Sequence, residues 1–186
     1  LLDALIYEAE RQGIMRYPIH VKIDSGMHRL GFTLEDMPRL SERLKSQTTV
    51  MARSVFSHFA GSDEPRFDAF SCQQIALFKE CAVAVQSATP QPVMRHILNT
   101  SGITRFTEEQ MEAVRLGIGL YGISACGMDT DLRTVSTLKT TILQIKELEE
   151  DQTVGYSRRG VLTRRSRIAA IPIGYADGLN RHLGNR

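Results

Sequence analysis

Apolar residues recur at helical spacing from the first position, where Leu1, Leu2, Leu5, Ile6 and Ala9 share one face opposite acidic residues, the pattern of an amphipathic helix. A short apolar-rich run, YPIHVKID (17–24), ends at an Asp-Ser-Gly turn and predicts a strand. Leu34, Met37, Leu40 and Leu44 return to helical spacing over 34–45, with Pro38 placing the regular part after it. ARSVFSHFA (52–60) is strand-like. Phe67, Phe70, Ile75, Phe78, Ala82 and Val85 then mark a long helix over 66–86, and VMRHILN (93–99) is strand-like again. TEEQMEA (107–113) predicts a helical turn, and VRLGIGLYGI (114–123) a further strand.

Strands alternating with helices build a parallel sheet, and four such units are half of an eight-stranded barrel. From Val135 the rhythm changes. VSTLKTTILQIKELEE and SRIAAIPIGYAD alternate or run apolar with β-branched residues and no helical pattern between them, and the turn-rich EEDQTVGYSRRG joins them. The expected fold class is α/β: the C-terminal half of a (β/α)8 TIM-type barrel, its last four strands, over 1–130, then the beginning of an all-β domain over 131–186. The first helix has no capping residue before it, and GLNRHLGNR follows a strand with nothing to close it. The sequence therefore reads as an internal piece of a longer protein. Half a barrel exposes sheet edges and helix faces, so it is expected to associate with a second copy or aggregate.

Composition narrows the classes. The 186 residues are 42% apolar and 24% charged, a globular balance. Net charge is only +2, and the basic residues are scattered apart from Arg158-Arg159 and the run Arg164-Arg165-Ser166-Arg167, which suits a solvated loop and strand start. That argues against a nucleic-acid partner. No apolar stretch approaches the roughly 20 residues of a membrane span, and the opening helix is too acidic for a signal peptide. Cys72, Cys81 and Cys126 show no metal spacing, so no metal is expected; Cys72 and Cys81 read as core filling on one helix, and a reducing cytoplasm is the simplest setting.

In a barrel, chemistry collects at the C-terminal ends of the strands. KIDSGMHRLGF (22–32) places Lys22, Asp24 and Arg29 around a turn at such an end; the arginine suits a carboxylate or other anion held by two N–H groups. Lys22 is open to three readings, a Schiff-base lysine, a phosphate contact or a surface residue, and spacing alone favours the non-functional one. His58, taken alone, reads as a structural histidine sooner than a catalytic one. Asn99, Thr100 and Ser101 offer small donors, and Gly117 and Gly119 offer backbone N–H groups that an oxyanion can approach, together a candidate phosphate cup. Arg115 lies inside an apolar run, where burial is costly unless the charge is paired, so it is expected to face the site. Two of the five tyrosines, Tyr156 and Tyr175, sit between small or turn-forming residues, unlike core tyrosines.

Six motifs in order, KIDSGMHRLGF, SHFAGSDE, RHILNTSGITRF, VRLGIGLYG, VGYS and IPIGYADG, resemble alanine racemase, a pyridoxal 5'-phosphate (PLP) family with an N-terminal (β/α)8 barrel and a C-terminal β domain. The likeness runs from about Pro18 to Asn185. Its wording is similar to the racemase half of bifunctional chains in which a UDP-N-acetylmuramoyl-tripeptide:D-alanyl-D-alanine ligase domain lies upstream.

The resemblance implies roles for named residues. Tyr156 matches the tyrosine that exchanges the substrate's α-proton on one face, in the active site of the partner subunit of a homodimer. Tyr175 matches a tyrosine lining the substrate entrance. Arg115 matches the arginine on the PLP ring nitrogen, and His58 the histidine bonded to it. Asn99, Thr100, Gly117 and Ile118 match the phosphate side; the family more often has serine at the position of Thr100, and the hydroxyl is kept. Arg29 matches the arginine near the cofactor's phenolic oxygen and the substrate carboxylate, and Lys22 a lysine often carbamylated to hold that arginine.

The implied reaction interconverts L-alanine and D-alanine by two-base proton transfer, supplying D-alanine for peptidoglycan in the bacterial cytoplasm. A tyrosine near its ordinary pKa of about 10 is a poor base at neutral pH, and positive charge from His58 and the arginines would favour its phenolate. The family's Schiff-base lysine belongs to a motif like A-V-V-K-A-x-A-Y-G, which does not occur here. Lys22 lies on another strand and does not replace it. This chain alone is therefore expected not to racemise alanine. A racemase of serine or of a wider range of amino acids, or a non-catalytic PLP-binding module, are the alternatives. Retention of Tyr156 argues against the last.

Overall fold

The computed structural model, which describes residues 1–127 and 132–184, divides into two compact units, Leu1–Val135 and Ser136–Arg186. The expected boundary near 130 falls partly on residues outside those described.

In the first unit the amphipathic start is helix α1 (Leu2–Arg11), burying Ile6 and Ala9. Strand β1 (Tyr17–Lys22) follows, then α2 (Met37–Lys45), which buries Met37, Leu40 and Leu44. Pro38 lies within the first turn of α2, where its missing N–H has no partner to lose, so the helix does not wait for the proline to pass. Strand β2 (Val50–Phe56), the 20-residue helix α3 (Asp68–Ser87) and the short β3 (Met94–His96) complete a parallel sheet in the order β1-β2-β3.

The core lies on one face of this sheet, beneath α2 and α3. Phe78, Cys81 and Val85 of α3 are fully buried against Val55 of β2 and Ile97 and Leu98 beyond β3. Truncating Phe78 to alanine would cost about 3–5 kcal/mol in such a setting. Phe67 and Phe70, expected inward, are 38% exposed because α3 begins only at Asp68 and its inner face starts at Ser71. Cys72 is exposed as well, so of the two helix cysteines only Cys81 fills core.

One irregularity aims the other face. Ile19 pairs with Ala52, but His20 pairs with Ser54, so Arg53 is the extra residue of a β-bulge. The bulge lets both Ala52 and Val55 reach the core, and turns Ser54 and Phe56 to the side of His20 and Lys22.

The strand expected over 114–123 does not form. Three glycines in six residues (117, 119 and 122) remove the side chains that would pack a strand. The segment makes one strand-like bond, Arg115 N–H to the Leu98 carbonyl at 3.0 Å, and then closes into a 3-10 turn over Ile118–Tyr121. The described sheet of this unit thus has three strands where four were expected. Conversely, the sequence reading overlooked helix α4 (Thr100–Arg105), capped by Asn99.

The second unit is built of strands. β4 (Gln144–Leu148) pairs antiparallel with β7 (Ser166–Ala170), and β5 (Thr153–Val154) with β6 (Gly160–Val161). The β-branched stretches contribute less strand than expected, only 144–148 and 166–170. Among the described residues, no helix is long and apolar enough to cross a membrane.

Candidate active site

The carboxyl ends of β1, β2 and β3 bring most of the first unit's candidates together. Lys22 is the last residue of β1, His58 lies two residues past β2, and Asn99 and Thr100 lie just past β3. The bond from Arg115 N–H to Leu98 draws the arginine to the same end.

Arg115 is held from several sides. Nη1 donates to His96 Nδ1 at 2.6 Å and to the His96 carbonyl at 3.2 Å. Nη2 donates to the Ser57 carbonyl, to His58 Nδ1 at 3.1 Å and to the Ile97 carbonyl at 3.3 Å. A guanidinium has five N–H donors and no acceptor. Both hydrogens of each Nη are therefore committed, and among the described residues the Nε–H is left for a further acceptor. Below the guanidinium the Phe56 ring forms a platform, its centroid 5.2 Å from Arg115 Cζ and 5.5 Å from Lys22 Nζ, with the His96 ring stacked parallel to it at 5.2 Å.

Because Arg115 only donates, both histidines must offer lone pairs on Nδ1. Burial, then the charges of Arg115, Arg29 and Lys22, push the His58 pKa down. Burial, then Arg115, lowers that of His96 from 6.5 to about 4. Both rings are neutral at neutral pH. A neutral His58 brings no positive charge to a phenolate, which departs from the expectation for this residue.

Lys22 is also pushed down, by burial first and then by Arg29 and Arg115. Arg29 is exposed, on a loop that returns to β1 through Asp24 N–H to the Phe32 carbonyl (2.8 Å) and Phe32 N–H to the Lys22 carbonyl (2.9 Å). Inside that loop Asp24 Oδ1 accepts the N–H groups of His28 (2.9 Å) and Gly26 (3.1 Å). Burial would raise the Asp24 pKa, but these bonds outweigh it and hold it low.

The phosphate cup differs from expectation. Thr100 Oγ1 accepts the N–H groups of Gly117 (2.9 Å) and Gly119 (3.2 Å), so these donors are already satisfied. The Thr100 hydroxyl hydrogen is what remains to meet an oxyanion. Asn99 is similar: its Oδ1 accepts Gly102 N–H (2.9 Å) and Ser62 Oγ–H (2.8 Å), leaving its amide N–H groups to face outward. At Gly119 a Cβ would lie 2.8 Å from Leu116 Cδ1 and Thr100 Cγ2, so no side chain fits there.

Tyr156 and Tyr175 belong to the second unit, and neither is packed in a core: they are 94% and 71% exposed. Gly155 has φ of +82°, and Ser157 and Arg158 have φ of +58° and +54°, a left-handed run that holds Tyr156 outward at the cost of strain. Arg181 lies over the Tyr175 ring at 5.8 Å. Ile118 is exposed, in the 3-10 turn after Gly117. Sequence reasoning passed over His96. Its signal was a histidine two positions beyond Met94, on the face that Phe56 shares. Among the described residues, no group of three or more His, Cys, Asp or Glu side chains is placed to hold a metal ion.

Comparison with known proteins gives this geometry a family. Residues 2–125 match the model of the alanine racemase N-terminal domain, and residues 135–186 that of the alanine racemase C-terminal domain. The chain is 38% identical over 181 residues to alanine racemase 2 of Caldanaerobacter subterraneus subsp. tengcongensis, covering 95% of this chain and 46% of that protein. It is 37% identical over 172 residues to the alanine racemase of Syntrophobacter fumaroxidans, covering 90% and 45%. Among solved structures, the Streptomyces coelicolor A3(2) alanine racemase superposes with a TM-score of 0.82 at 26% identity, covering 97% of this chain and 49% of that one. The Bartonella henselae alanine racemase with covalently bound pyridoxal phosphate gives 0.75 at 25%, with the same coverage. The chain thus spans about half the length of the relatives it matches. Both domain models, met in order along one chain, make this protein a member of the alanine racemase family.

Proposed function

We propose that this chain supplies half of the active site of a PLP-dependent racemase that interconverts L-alanine and D-alanine. The observation that carries the reading is the Arg115 guanidinium, whose Nη hydrogens are all committed while its Nε–H is left for one acceptor. A pyridine nitrogen is such an acceptor. The residues fit the cofactor in other respects. Arg29 and Arg115 bring positive charge suited to an anion, the Thr100 hydroxyl hydrogen is unspent, and the Gly119 cradle excludes a side chain.

When bound, PLP supplies the electron sink that lets the α-proton of an amino acid leave. The residues here do the rest. Arg115 stays protonated and donates to the ring nitrogen, so that nitrogen does not take a proton of its own. An arginine held there would moderate the electron sink that the bound group supplies. His58 and His96 accept from Arg115 and keep its fork in place. The Thr100 hydroxyl, the Asn99 amide and the Ile118 N–H would receive the phosphate, while Gly117, its own N–H bonded to Thr100, shapes the turn that presents them. Arg29 meets the substrate carboxylate, and Lys22, with its amine biased toward the neutral form, reacts with carbon dioxide to give a carbamate that pairs with Arg29. Tyr156 moves the proton on one face of the substrate in the site of a second copy, and Tyr175 lines the approach.

In this reading residues 1–130 are barrel and 131–186 open the β domain. The whole protein is a cytoplasmic homodimer that serves peptidoglycan synthesis, with a ligase domain upstream. The lysine that anchors the cofactor is not in this sequence, so this chain alone does not turn over alanine. The test is to follow the chirality of L-alanine and L-serine with the whole protein and its Tyr156→Phe variant. Alanine inversion lost in the variant supports the reading. No inversion by the whole protein, or undiminished inversion by the variant, would overturn it.

A further inference from the structure

Behind Arg115, on the face that the Arg53 bulge creates, a line of polar groups runs on from His96 through Ser54 to His20, two residues to which the proposed reaction gives no part. His96 Nε2 is 3.1 Å from Ser54 Oγ, and Ser54 Oγ is 2.6 Å from His20 Nδ1. Ser54 is fully buried, between the two rings, in the middle of the sheet. His20 closes the line at an exposed position of β1.

The order of hydrogens in this line is fixed from Arg115 as far as Ser54 Oγ. Arg115 has donors only, so His96 Nδ1, 2.6 Å from Nη1, must accept. A neutral imidazole whose Nδ1 accepts carries its proton on Nε2. Burial and Arg115 hold His96 neutral, its pKa lowered to about 4. The Nε2–H therefore donates to Ser54 Oγ. The serine has one hydrogen of its own, and donating it to His20 Nδ1 leaves neither the hydroxyl hydrogen nor that nitrogen unpaired; His20 would then carry its proton on Nε2.

We propose that His96, Ser54 and His20 form a directed hydrogen-bond chain that positions Arg115, and that the tautomer of His20 is set by Arg115 although the two residues share no hydrogen bond. Ser54 is the positioning residue at its centre. It fixes the plane of the His96 ring, and that ring fixes the direction in which the guanidinium presents its Nε–H. The inference rests on reading Arg115 as the group that faces the cofactor. Three separate, locally satisfied contacts would show the same distances but no coupling along the line.

Nitrogen-15 NMR of the imidazole rings in the labelled whole protein, without cofactor and at neutral pH, decides between them, because protonated and unprotonated ring nitrogens resonate far apart. The expected spectrum has Nδ1 unprotonated and Nε2 protonated in both His20 and His96. In Arg115→Met the donor is gone, and both rings should move toward a mixture of tautomers. In Ser54→Ala only His20 should move, while His96 keeps its form because Arg115 still donates to it. A proton on Nδ1 of either ring in the unsubstituted protein overturns the proposal, as does a His20 indifferent to both substitutions. Should Arg115→Met fail to fold by circular dichroism, the unsubstituted protein and Ser54→Ala decide alone. The readout needs no cofactor, so its failure leaves the proposed function standing, and a failure of cofactor binding leaves this chain standing.

Discussion

Thr100 Oγ1 accepts the backbone N–H of Gly117 at 2.9 Å, and so ties the glycine-rich turn to the end of β3. The same oxygen takes Gly119 N–H, and the residue is 8% exposed. Thr100→Val would leave two N–H groups without their acceptor at a cost of about 1–3 kcal/mol. Thr100→Ser keeps the oxygen and should stay within about 1 kcal/mol of the original. Denaturant unfolding of the two variants checks this, and equal losses would show that the hydroxyl does not matter.

Gly31 has no room for a side chain. Its φ is +130°, and a Cβ would lie 2.5 Å from Asp24 N and 2.7 Å from Ile23 C, both backbone atoms that cannot give way. Gly31→Ala should therefore cost about 2 kcal/mol or more and displace the loop that carries Arg29. Thermal unfolding together with the amide spectrum of residues 24–32 reports both effects; an unchanged melting temperature would contradict the packing described.

The lowered pKa of His96 links stability to pH. Unfolded, the ring titrates near 6.5; folded, near 4. Between these values the unfolded chain binds a proton that the folded one does not, so stability falls as pH drops from about 6.5 to 4 and this contribution is flat below. His58, lowered for the same reasons, adds in the same direction. Partial exposure discounts the effect of His96 to on the order of 1–2 kcal/mol. Denaturation curves at pH values across that window should show a shallower slope in His96→Asn than in the unsubstituted chain. Equal slopes would mean that the ring is not held neutral.

The depressed pKa of Lys22 raises the neutral fraction of its amine, the form that attacks carbon dioxide. The whole protein supplied with carbon-13 bicarbonate should show a carbamate carbon signal that fades on acidification and is missing in Lys22→Arg. A signal that persists in the variant would place the modification elsewhere.

Much of the site was legible because strand-end chemistry travels with local signals. Lys22, His58, Asn99 and Thr100 lie at the ends of apolar runs and Arg115 interrupts one, and the fold gathers them at one end of the sheet. What the sequence hid is relational. A one-residue bulge at Arg53 decides which face Ser54 and Phe56 share, and no periodicity over 52–60 reveals an extra residue. The segment 114–123 carries enough apolar residues for a strand, but its glycines favour a turn once Thr100 captures their N–H groups from another part of the chain. His96 looked like one polar residue in a short strand; its importance comes from Arg115, 19 positions later.

The state of the cofactor's ring nitrogen tests the account most directly. Bound to the whole protein with nitrogen-15 in the ring, PLP should show an unprotonated nitrogen accepting a hydrogen bond, and that signal should change in Arg115→Lys. A pyridinium signal in the unsubstituted protein would contradict the role given to Arg115.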